Sequence, residues 1–97
     1  MAAAPNNMVR INLYTDNGGK IAIDIDPTLT VLDLKRAIME NRRRDPRFFG
    51  FLHKARRADL LALSDEQGRR PVDTQRISEI IDSTKSFHEF GVTYWDP

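Results

Sequence analysis

Val9-Arg10-Ile11-Asn12-Leu13-Tyr14, then Thr15-Asp16-Asn17-Gly18-Gly19, then Lys20-Ile21-Ala22-Ile23-Asp24-Ile25-Asp26 is the stretch that decides the fold. Apolar and polar residues alternate on both sides of the glycine pair, the period-two pattern of half-buried strands. Val9, Ile11 and Leu13 share one face of the first strand, and Ile21, Ile23 and Ile25 share one face of the second. Asn17-Gly18-Gly19 supplies residues that tolerate positive φ, so a hairpin joins the strands with little strain. Pro27 closes the second strand, and Thr30-Val31-Leu32-Asp33-Leu34-Lys35-Arg36-Ala37-Ile38 opens a helix. Thr30 is a good N-cap, and Asp33 sets a negative charge where the helix dipole favours it. Val31, Leu34 and Ile38, with Leu32 at the margin, form an apolar stripe that the strands can cover. Lys35, Arg36, Glu40 and Asn41 fall off that stripe.

Farther along, the helix is expected to fray in Arg42-Arg43-Arg44. Asp45-Pro46 is a second start signal, an N-cap candidate followed by proline at a position that tolerates it. Phe48, Phe51, Leu52 and Ala55 then follow helical spacing, which predicts a short helix over about residues 46–56. A strand through Phe48 to Leu52 competes with it, and Gly50 weakens both readings. Leu60-Leu61-Ala62-Leu63 predicts a short buried strand, Asp65-Glu66-Gln67-Gly68 a turn, and Arg69 to Val72 a returning strand. Ile77, Ile80 and Ile81 suit one helical turn within Thr74 to Ile81, and Phe87 to Tyr94 alternates as a final strand.

At 97 residues, with 40% apolar residues, the chain has material for one domain and one modest core. The expected division is a loose tail over residues 1–7 and a single domain over 8–97. With no cysteine, disulfides, zinc thiolate sites and thiol chemistry are excluded. No apolar run approaches the roughly 20 residues of a membrane span, and the start lacks the charge and apolar core of a signal peptide. The expected location is the cytoplasm or nucleus, and the expected state is monomeric. Net charge is +1, yet Arg42, Arg43, Arg44, Arg47, Lys54, Arg56 and Arg57, with His53, face only Asp45 between residues 42 and 57. The remainder of the chain is net acidic.

From Val9 to Ile38 the strand positions, the turn, Pro27, Thr30 and the helix residues Val31, Leu34 and Ile38 resemble the ubiquitin-like family without a gap. Arg76-Ile77-Ser78-Glu79 is similar to that family's short turn after the fourth strand, and Ser86-Phe87-His88 to its last-strand entry. The resemblance covers about a third of the chain well and another fifth loosely. It implies an α+β β-grasp fold: a mixed four- to five-stranded sheet on one main helix, here with a basic insertion before the third strand. It also implies a non-catalytic interaction module. Conjugating members end in Gly-Gly, whereas this sequence reads Thr93-Tyr94-Trp95-Asp96-Pro97, so a non-conjugating member is expected, free-standing or the first module of a longer chain. The family's apolar recognition patch lies on the outer sheet face. The insertion breaks the register there, leaving Leu61, Leu63 or Val92 as contributors to it.

Catalysis is hard to motivate. His53 and His88 are the only histidines, and no metal or other cofactor is expected. Asp24 and Asp26 share a strand face, which reads better as solvent-facing than as a cation site. Ser64, Ser78, Ser83 and Ser86 lack a histidine-plus-acid arrangement, and Gly18-Gly19 lacks the context of a phosphate loop. The basic block Arg42, Arg43, Arg44, Arg47, Lys54, Arg56 and Arg57 is the candidate docking site, joined by Phe49, Leu61, Leu63 and Trp95 as apolar contacts. It suits an acidic protein partner, with solvation of an inserted segment as the plain reading. Nucleic acid is the runner-up, through phosphate neutralisation and stacking. A Ras-association or doublecortin-like β-grasp, docking a GTPase or a cytoskeletal polymer, is the third reading.

Overall fold

The structure, a computed structural model, describes residues 8–82, 84–85 and 88–94. The strands β1 (Val9–Tyr14) and β2 (Lys20–Ile25) pair antiparallel, with Ile11 opposite Ile23 and Leu13 opposite Ile21. Their shared apolar face meets α1 (Val31–Asn41). Thr30 caps α1 in a full capping box: its hydroxyl accepts from the Asp33 N–H, and the Asp33 carboxylate accepts from the Thr30 N–H. Val31, Leu34 and Ile38 are buried as their spacing predicts.

A 3₁₀ turn (Arg42–Arg44) leads from α1 into α2 (Pro46–Leu52), capped by Asp45 with Pro46 at its first position. The segment is helical and not a strand, but it stops earlier than its periodicity suggests. Arg42 donates to the Ala55 carbonyl (2.8 Å) and Tyr94 Oη to the Lys54 carbonyl (3.3 Å), and these bonds hold the chain as it leaves the helix. A second 3₁₀ turn (Ala58–Leu60) enters β3 (Leu61–Ser64), α3 (Ile77–Ile80) follows, and β4 (His88–Tyr94) ends the described chain. The sheet order is β2-β1-β4-β3, with β4 parallel to β1 and antiparallel to β3.

The returning strand expected at Arg69 to Val72 does not form, so the described sheet has four strands. The turn closes as predicted, with Gly68 at φ +81° and the Asp65 carboxylate accepting from the N–H groups of Gln67 and Arg69. Pro71 then has no N–H to give a ladder, and the Val72 N–H is taken by the Gln75 side chain. This loop caps α1 instead: Asp73 and Gln75 carbonyls accept from the N–H groups of Leu32 and Val31, two donors left without partners inside the helix.

Lys35, placed off the apolar stripe by periodicity, is buried, and its ammonium meets Asp73 at 2.6 Å. The tail over residues 1–7 and the strand entry at Ser86 and Phe87 lie outside the described residues.

Candidate functional site: a basic insertion clamped to the hairpin turn

The insertion sits on the β1–β2 turn because glycine lets it. A Cβ on Gly19 would lie 2.5 Å from the Phe48 backbone N and Cα and from Thr15 Oγ1, so only glycine permits this approach. Gly18 supplies the positive φ, +91°. Asn17 Nδ2 donates to the Arg47 carbonyl at 2.8 Å, and the Arg47 guanidinium lies against Gly18. Phe48 and Leu52 fill the core from above, with Phe51 packed at its margin.

Two further contacts fasten the insertion to the outer edge of β2. The Asp45 carboxylate accepts the Lys20 N–H at 2.7 Å, and Arg44 donates to the Ala22 carbonyl at 2.8 Å. These outward-facing groups would otherwise be open to another strand. The Lys20 N–H, together with that of Arg47, holds the Asp45 carboxyl below the usual carboxylate range.

The seven cations therefore divide. Arg42 is spent on the Ala55 carbonyl and Arg44 on β2. Arg57 forms a two-pronged pair with Asp59, which raises its own pKa and lowers that of the acid. Arg43, Arg47, Lys54 and Arg56 are exposed, and among the described residues none has a carboxylate within ion-pair distance. Phe49 is half-buried, with the guanidinium of Arg43 5.0 Å and that of Arg42 5.8 Å from its ring centre. The His53 ring leans on the same aromatic, and its Nδ1 is 2.8 Å from the Gly50 carbonyl.

Leu61 and Leu63, expected as apolar docking contacts, lie in the core. They are 2% and 1% exposed, and Val92 is 1%. In the β3–β4 register Leu63 faces Val92 and Leu61 faces Tyr94, all turned toward the helix. The outer face instead carries Asn12, Tyr14, Glu89, Gly91, Thr93, Ala62 and Ser64, as strand alternation requires. Tyr14 Oη donates to Glu89 at 2.7 Å. Among the described residues no large aliphatic side chain lies on it, so the apolar recognition patch implied by resemblance has no counterpart there. Trp95 lies outside the described residues.

Asp24 is paired with Arg10 across the strands, and Asp26 accepts from the N–H and hydroxyl of Thr28. Among the described residues no three His, Asp or Glu side chains gather as metal ligands, and no helix is long and apolar enough to cross a membrane. An open cleft beside α3 is lined by Asp65 and Arg69, which pair with each other, and by Ile80, Ile81 and Phe90.

A mixed sheet in the order β2-β1-β4-β3, gripping one main helix, is the ubiquitin-like β-grasp. The UBL domain of Plasmodium falciparum Dsk2 superimposes on this chain with a TM-score of 0.65 at 15% identity, over 91% of this chain and 99% of that one. No protein-family model and no curated protein matches the sequence.

Proposed function

We propose that the chain is a non-catalytic ubiquitin-like interaction module that docks an acidic protein surface through its basic insertion. The observation that carries this reading is the division of the cations. Arg42, Arg44 and Arg57 are consumed by the fold, while Arg43, Arg47, Lys54 and Arg56 stay exposed on α2 and the segments flanking it, an insertion clamped to the sheet. Holding charged heads on a fixed backbone lowers the ordering cost of binding. The polar outer sheet face supports the same choice of surface.

The test is capture of partners from native extract by the wild type and by a form carrying Arg43→Glu, Arg47→Glu, Lys54→Glu and Arg56→Glu, each with and without nuclease. Arg57 is left in place because its reversal would disrupt the Asp59 pair. Proteins retained by the wild type, lost on reversal and indifferent to nuclease support the reading. A set emptied by nuclease turns it toward nucleic acid, and a set unchanged by reversal removes the insertion from docking.

A further inference from the structure

Gly50 is a glycine for which the fold supplies no reason. It lies inside α2, where glycine is less stable than alanine because it gives up more chain entropy. Its φ is not in the left-handed region, and a Cβ there would find nothing closer than Asn17 Nδ2 at 4.0 Å, an ordinary contact. Gly19 differs, being fixed by the Phe48 backbone, as do Gly18 and Gly68, fixed by positive φ.

Gly50 is also exposed, and exposed cations flank it along the chain. Arg47 stands on α2 three residues before it, and Lys54 follows in the turn just beyond the helix end, both exposed. The i,i+3 spacing sets Arg47 beside Gly50 on the helix surface. The result is a bare stretch of helix backbone with Arg47 on the helix and Lys54 in the turn that follows it, beside the exposed turn residues Asn17 and Gly18.

We infer that this strip is where an extended acidic peptide segment crosses α2, its main chain resting on Gly50 and its carboxylates taken by Arg47 and Lys54. This rests on the docking reading above and deepens it by naming the contact and the form of the partner. Charge complementarity selects an acidic occupant. A peptide is favoured over single-stranded nucleic acid because Phe49, the aromatic at this site, already has Arg42, Arg43 and His53 around its ring. Stacked bases need an open aromatic face.

The probe is a fluorescein-labelled decapeptide of alternating glutamate and alanine, followed by anisotropy at low salt. Its glutamine counterpart and a ten-nucleotide oligothymidylate serve as comparisons. Gly50→Ala is expected to raise Tm by about 4–8 °C while weakening the glutamate peptide several-fold. Gly50→Gln, which also fits the fold, should weaken it by about tenfold or more, the range of a lost close contact. The double variant Arg47→Glu, Lys54→Glu should abolish binding. If the Gly50 variants bind like the wild type while the charge variant does not, the crossing point is refuted and the docking reading stands. If the wild type ignores the glutamate peptide, or binds it no better than the glutamine peptide, both fall. Tighter binding of oligothymidylate overturns the inference in favour of nucleic acid.

Discussion

Replacing Asp73 with alanine removes the partner of the most deeply buried charge among the described residues, the Lys35 ammonium, and leaves that ammonium in place. The Lys35 side chain is 7% exposed, that of Asp73 35%, and their charged atoms are 2.6 Å apart. At an effective dielectric of about 20 the gross attraction is roughly 6 kcal/mol, and the desolvation of the lysine offsets most of it. Deleting the acid forfeits the attraction but keeps the desolvation cost, which for fully buried pairs amounts to about 3–5 kcal/mol. Asp73 is a third open to water, so the stranded ammonium can be partly rehydrated, and the expected loss is about 2–3 kcal/mol. Lys35→Met removes charge and desolvation together while keeping the apolar stem, and is expected to cost less than about 1 kcal/mol. In a domain of this size the difference is a Tm drop of roughly 8–24 °C for Asp73→Ala against a few degrees for Lys35→Met. Thermal and urea denaturation followed by circular dichroism at neutral pH reads both. If Asp73→Ala costs under about 1 kcal/mol, or if Lys35→Met costs as much, the ion pair is not what holds the loop over α1.

Gly19→Ala is expected to destabilise by about 1–3 kcal/mol through overpacking against the Phe48 backbone, and hydrogen exchange should show α2 losing protection first. Phe48→Ala is expected to cost about 3–5 kcal/mol and Phe49→Ala under about 1; similar values in a denaturant series would mean the two rings are wrongly placed. Stability should fall in acid. Asp45, Asp33 and Asp26 have folded pKa values lowered chiefly by N–H donors from Lys20, Thr30 and Thr28. The unfolded chain therefore binds more protons, and their contribution is complete above about pH 5 and is lost as pH falls through the lowered values. Asp45→Asn should flatten that acid limb in a pH series of denaturant midpoints, and an unchanged limb would remove Asp45 from the account.

The hairpin and α1 were legible because their signals are local. Alternation in Val9–Tyr14 and Lys20–Ile25 gives the buried face directly, and Thr30 with Asp33 gives the cap. Phe48 over Phe49 as the core residue was legible by the same helical spacing. The strand expected at Arg69 to Val72 failed on a tertiary competition, since the backbone there is used at the start of α1 and by the Gln75 side chain. Lys35 looked like a solvent-facing residue because periodicity carries no sign of an acid 38 positions away. The outward assignment of Leu61 and Leu63 followed from a broken register, which only the pairing with β4 restores. The division of the cations was invisible for a similar reason. Arg44 and Arg43 are neighbours in a uniform run, and only the position of the β2 edge separates the one that is used from the one that is offered.

The cover placed over β2 by Arg44 and Asp45 has a consequence for how this domain can be read by anything outside it. A sheet with an open margin can be extended by almost any peptide, because backbone groups are the same in every sequence. Here one margin has two of its backbone groups taken by the chain's own side chains, and the strand at the other, β3, is only four residues long. Recognition is thereby shifted from main chain to side chain, so a stranger is judged by its charges and contours, and indiscriminate zipping into larger sheets is discouraged by the same two residues.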